Sequence, residues 1–177
     1  MPTLTYPSPT FPGRPALRLD LPEGWEAVPA VGDLAGAALV AMRPEPAGEF
    51  RANLMVTLDE VPADHTVRYD LDGVERLAAE RPQGTAGQVT AHNVGGVTFF
   101  GRDLSYVDDQ AGTLLVRNLF GFLRRDVDGG LVRITVTGTV GSRRHREDYA
   151  ELGTVIAGLR VTPGPGTTPL LDEEGAQ

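Results

Sequence analysis

The chain reads as an α+β protein, an α/β/α-type sandwich with a central, mostly antiparallel sheet of about six to seven strands flanked by helices. Three observations predict this. The 177 residues include 22 glycines and 14 prolines, a density of turn formers that suits short strands rather than a helical bundle. Several runs alternate apolar and polar residues, as strands with one buried face do. Two stretches, about 69–80 and 146–159, repeat their apolar residues at helical spacing instead.

Residues 1–13 carry Pro2, Pro7, Pro9 and Pro12. Proline fixes φ and removes a donor, so an extended or disordered tail is expected. Pro9, Pro12 and Pro15 also make PxxP spacings, which suit an aromatic groove but read as plain tail. The first strand is Ala16–Leu21, with Leu17, Leu19 and Leu21 on one face. Pro22 stops it, Gly24 turns the chain, and the single tryptophan, Trp25, follows. Trp25 reads as a core anchor, with ligand stacking as the alternative.

Ala37–Met42 and Arg51–Leu58 are the next strands, the second with Ala52, Leu54, Val56 and Leu58 on one face. Over Tyr69–Glu80, Leu71, Val74, Leu77 and Ala78 form the apolar stripe of a helix, with Thr66 or Asp70 as its cap. Four strands then follow: Gln88–Asn93, Val97–Val107, Thr113–Arg124 and Leu131–Val140. Gly95-Gly96, Asp108–Gly112 and Asp128-Gly129-Gly130 supply the turns between them. Thr113–Arg124 is apolar on both faces, which predicts a central or helix-covered strand. A last helix at Arg146–Leu159 buries Tyr149, Leu152, Ile156 and Leu159. It runs into a short strand at Leu159-Arg160-Val161. Residues 163–177 read as a disordered acidic tail, so the folded domain is expected over 14–162.

Composition excludes several functions. The net charge of −8 disfavours sequence-independent nucleic-acid binding and adsorption to anionic membranes. No cysteine is present, which removes disulfides, thiolate nucleophiles and zinc-thiolate sites. No apolar run is long enough to span a bilayer, and residues 1–16 lack the pattern of a signal peptide. The cytoplasm is the expected compartment. All 16 positive charges are arginine, which reads as codon bias in a GC-rich genome.

No arrangement of residues amounts to a reaction centre. His65, His92 and His145 are far apart, and no Gly-x-Ser-x-Gly elbow accompanies them. Asp70-x-Asp72-Gly73 and Asp126-x-Asp128-Gly129 look like calcium fragments, but Arg81 stands where an EF-hand loop needs its Glu. They read as a helix start and a turn. Gly138-Thr139-Val140-Gly141-Ser142-Arg143 lies between a strand and a helix, where phosphate can sit, yet it lacks the P-loop lysine. Arg143, Arg144, His145 and Arg146 form the densest positive cluster. Positive charge opposes the dipole at a helix start, so these side chains are expected in the preceding loop, paired with Glu147, Asp148 and Glu151 or facing an acidic partner.

The ordered set of elements resembles a known family. The pieces are Leu19-Asp20-Leu21-Pro22-Glu23-Gly24-Trp25, the Ala52-Asn53-Leu54-Met55-Val56 strand, the amphipathic helix near 70–80, and Gly158-Leu159-Arg160-Val161. Over about residues 14–162 they are similar to the PsbP-like (Mog-like) family, nearest its actinobacterial LpqN/LpqT-type branch. That branch carries a signal and a lipobox cysteine, and this chain shows neither, so membrane anchoring is not implied. The resemblance implies no shared active site.

The expectation is therefore a non-enzymatic, protein-binding or assembly/secretion accessory factor with no cofactor and no metal. Trp25, Arg143, Arg144 and Arg146 are its candidate contact residues. The partner would be a protein rather than nucleic acid, with no membrane span and with self-association left open. The alternative is a carrier of a small apolar, lipid-like ligand held between sheet and helices, with Phe99, Phe100, Phe120 and Phe122 lining the pocket.

Overall fold

The computed structural model describes residues 2–6, 15–29, 36–44 and 50–170. The PxxP prolines Pro9 and Pro12 and the acidic end at 171–177 lie outside these residues.

The strands are β1 (Thr3–Tyr6), β2 (Ala16–Asp20), β3 (Glu26–Ala27), β4 (Ala37–Met42), β5 (Asn53–Val61), β6 (Thr85–Val94), β7 (Val97–Asp108), β8 (Gly112–Arg125), β9 (Leu131–Gly141), β10 (Leu159–Thr162) and β11 (Thr167–Pro169). The helices are α1 (Val67–Glu80) and α2 (His145–Ala157). Eight strands form one sheet in the order β3-β4-β5-β9-β8-β7-β6, with β11 added on β8. Its pairings are antiparallel throughout.

Side-chain alternation divides the two faces of this sheet. Leu54 and Val56 of β5, Phe99 of β7, Leu119 and Leu123 of β8, and Ile134 and Val136 of β9 share one buried cluster. Leu152, Val155 and Ile156 of α2 close over it, together with Leu17, Leu19, Leu159 and Val161 from β2 and β10. The opposite face carries Leu104, Val116, Phe120, Phe122 and Leu131. There α1 covers it with Val67, Leu71, Val74 and Ala78. Strand β8 contributes to both clusters, which is why it is apolar on both sides. The helix starts as its sequence directs: the Thr66 hydroxyl accepts from the Tyr69 N–H at 3.4 Å. Gly95 and Gly96 both adopt positive φ, 59° and 86°, as a two-residue hairpin turn between right-twisted strands requires.

Three expectations need correction. The first strand does not join the central sheet. Strand β2 pairs with β1 and β10 in a separate three-stranded sheet, because its Leu17–Leu19 face is needed to cover the core beside α2. The expected N-terminal tail contains β1. Its prolines flank Thr3–Tyr6 rather than interrupt it, Leu4 and Tyr6 pack on the core, and the Pro2 carbonyl accepts from the Leu21 N–H at 3.0 Å. The expected C-terminal tail contains β11, paired with Leu123–Arg125, where β8 runs on beyond its last partner in β7.

Candidate interaction surface

Trp25 sits where the sequence puts it structurally, as a buried anchor only 2% exposed. Its indole Nε1 is buried and has no hydrogen-bond partner. The same residue lines an open groove of about 410 Å³ with Pro2, Pro22, Glu23 and Gly24. Gly24 has φ 85°, the left-handed conformation that makes the turn.

The arginine cluster is split. Arg143 and Arg144 precede α2, whereas His145 and Arg146 lie inside its first turn, contrary to the expectation that all would stay in the loop. Glu147 and Asp148 in that same turn offset the unfavourable interaction of Arg146 with the helix dipole. Arg144 pairs with Glu147 at 3.0 Å and with Asp148 at 3.8 Å. Arg143 and Arg146 are exposed.

Arg43 links these two regions. Glu26, next to Trp25, is in register with Met42. Arg43 follows Met42, and its Nη1 donates to Asp148 Oδ1 at 2.8 Å and to Glu151 Oε2 at 2.9 Å. Asp148 also faces Arg144. Arg43 thus ties the end of β4, beside the strand that follows the Trp25 turn, to the start of α2. Arg124 and Arg125 are not part of it. Arg124 pairs with Leu131 and Leu114 with Gly141, so Arg124 and Arg125 lie at the opposite end of the β8–β9 pair from Arg143.

The remaining motifs fold into structural roles. A Cβ on Gly138 would come within 2.5 Å of Leu152, so this glycine admits α2 onto β9 rather than cradling an anion. Asp128 accepts from the Gly130 N–H at 2.9 Å and pairs with Arg125 at 2.8 Å, as a hairpin turn. Asp70 is neither cap nor calcium ligand. Its side chain is 4% exposed, accepts from Arg133 Nη1 at 2.6 Å and lies 2.8 Å from His65 Nε2. Among the described residues, no group of His, Asp and Glu is gathered closely enough to hold a metal ion.

The four phenylalanines of the carrier alternative do not share a cavity. Phe99 points into the α2-side cluster, while Phe120 and Phe122, with Phe100 beside them, belong to the α1 side. Neighbouring strands are paired Phe99 to Gly121 and Phe100 to Phe120, so successive residues must face opposite ways.

Sequence inspection missed one polar cluster. Asp103 of β7 accepts from Arg117 Nε of β8 at 3.1 Å and from the Tyr149 hydroxyl of α2. Arg117 also lies over the Tyr149 ring, 4.2 Å from its centroid. His92 of β6 is near this group, with Nε2 2.9 Å from Thr90 Oγ1. Burial first, and the Arg117 charge second, hold its imidazole below the ordinary histidine range, against the opposing pull of Asp103. Tyr149 reads in sequence as one member of an apolar stripe. Its polar partners come from strands far away in the chain, and only the β7–β8 register brings them together.

The architecture is an α+β fold, a mostly antiparallel sheet with one helix on one face and a helix plus a small sheet on the other. Among solved structures it is similar to LpqN of Mycobacterium tuberculosis, described as involved in cell envelope biogenesis. That match has a TM-score of 0.62 at 14% identity and covers 91% of this chain and 92% of that one. The cyanobacterial PsbP of Synechocystis sp. PCC 6803 matches with a TM-score of 0.49 at 17% identity, over 90% and 92% of the two chains. No protein-family model and no curated protein matches the sequence. No described helix is long and apolar enough to cross a membrane.

Proposed function

We propose that this chain is a non-catalytic accessory factor that binds another protein through the end bearing the Trp25 groove and the Arg143–Arg146 segment. One observation carries the reading. Arg43, one residue beyond the strand partner of Glu26, is hydrogen-bonded to Asp148 in the first turn of α2, which ties the strand after the Trp25 groove to the helix start where the exposed Arg143 and Arg146 lie. A central anchor pocket with a charged rim is the usual anatomy of a protein contact. The likeness of fold to LpqN, whose description concerns cell envelope biogenesis, supports an accessory role in assembly or secretion. Phe99 and Phe120, buried in separate clusters, speak against the carrier alternative.

Affinity capture from the native host, followed by mass spectrometry, tests this. The wild-type chain is expected to retain a stoichiometric protein that the combined Arg143→Glu, Arg144→Glu, Arg146→Glu variant loses. Equal capture by both chains, or a co-purifying lipid in place of a protein, rejects the reading. Fractionation of the same cells reports whether the complex is cytoplasmic, as the sequence leads one to expect.

A further inference from the structure

The large sheet ends on one side in β3, only two residues long, and on the other in the ten-residue β6. Among the described residues nothing pairs with the outer edge of β6. Long free edges are ordinarily guarded by charge, proline, a bulge or a covering segment. From Gly84 to Gly101 the chain contains no Asp, Glu, Lys, Arg or Pro. One bulge is present, between Ala86 and Val89. Beyond it, Val89–Val94 pairs regularly with β7, and Val89, with 47% exposure, is among the exposed large apolar residues of the molecule.

The register tells which backbone groups are free. Val94 and Val97 close the two-residue Gly95-Gly96 turn and form a hydrogen-bonded pair. Alternation from there directs the N–H and C=O groups of His92 and Thr90 towards β7, and those of Val89, Ala91 and Asn93 towards the open edge.

We propose that β6 is a self-association strand: a second copy of this chain pairs with it antiparallel about a two-fold axis at Ala91, fusing the two large sheets. Such an axis sets Ala91 against its own counterpart and Val89 against Asn93 of the other copy. All these residues present their free backbone groups in register. The choice of occupant rests on charge. The chain carries −8 overall, so two copies repel over most approaches. An isologous contact also sets each surface against itself, where any charge near the axis would meet its like. The β6 edge is a long stretch on which that penalty is absent. Ala91 and Asn93 are exposed and small enough for strands to approach. Once paired, the sheet offers only the short β3 at each end, so the assembly closes at two copies.

Sedimentation velocity on the purified full chain, over a range of concentrations, tests the proposal independently of any partner protein. The wild type is expected to shift from monomer towards dimer as concentration rises. Ala91→Lys sets like charges opposite one another across the axis and is expected to weaken association roughly tenfold or more. Ala91→Glu does the same, and mixing the two variants is expected to restore it. Circular dichroism checks that both variants fold. If either does not fold, the double variants Val89→Lys with Asn93→Lys and Val89→Glu with Asn93→Glu replace the pair, setting like charges opposite one another across the same axis, with the same outcomes expected. A wild type that stays monomeric throughout overturns the proposal, as does a dimer that the lysine and glutamate variants leave intact.

Discussion

Arg133 of β9 donates from Nη1 to Asp70 of α1 at 2.6 Å and from Nη2 to Asp59 of β5 at 3.1 Å. One guanidinium therefore ties the covering helix to two strands of the sheet. The Arg133 pKa is raised by these carboxylates in spite of burial, so it stays charged through any ordinary pH. Replacing the buried carboxylate, Asp70→Asn, leaves that charge short of a partner. Breaking a fully buried pair costs about 3–5 kcal/mol. Arg133 keeps Asp59 and some solvent, so a loss of about 2–3 kcal/mol in urea unfolding is expected. A loss below about 0.5 kcal/mol, the scale of a surface pair, contradicts this account of α1 docking.

The Phe99 ring lies close against Gly121, its cross-strand neighbour. A Cβ on Gly121 would come within 2.8 Å of the Phe99 ring, and Phe99 has no exposed surface to retreat to. Gly121→Ala is expected to destabilise by about 1–3 kcal/mol, the cost of overpacking a closed core. Phe99→Leu in the same chain relieves the clash, so the double variant should cost less than the sum of the two single changes. Simple additivity in denaturant melts counts against the contact.

His92 predicts a pH dependence. Its folded-state pKa lies below the ordinary value, chiefly because of burial, with Arg117 adding to the shift and Asp103 opposing it. The unfolded chain therefore binds the proton more readily. The stability linked to this group is complete above about pH 6.5 and is lost as pH falls below it. His92→Asn removes the proton site, so the variant is expected to gain on the wild type between pH 6.5 and the acid range. A stability difference that is constant with pH refutes the assignment.

The long central elements were legible because a local pattern specifies them. Val132, Ile134 and Val136 alternate with Arg133, Thr135 and Thr137, and β9 obeys that parity. Leu71, Val74 and Ala78 mark the stripe that α1 buries. What escaped was short or non-local. Strands β3 and β11 are two and three residues long, too short to show a period. The small sheet joins Leu159 to Leu19, and no local spacing announces such a pair. At the candidate site, the burial of Trp25 and the exposure of Arg143 and Arg146 followed from composition and turn chemistry. The role of Arg43 did not, because its acidic partners lie on α2, more than half the chain away.

The pairing of β10 with β2 has a consequence for the order of events during synthesis. Strand β2 emerges from the ribosome early, with β1 beside it, yet its other partner β10 appears only after α2 and every strand of the large sheet except β11 have been made. Until then the α2-side face of that sheet, with Phe99, Leu119 and Ile134, lacks the cover of Leu159 and Val161. Contacts so distant in the chain form late and slow folding, and an uncovered apolar face is what chaperones recognise. A nascent chain halted before Leu159 is expected to remain open to proteases and chaperones, whereas release beyond Thr162 lets the last strand close it.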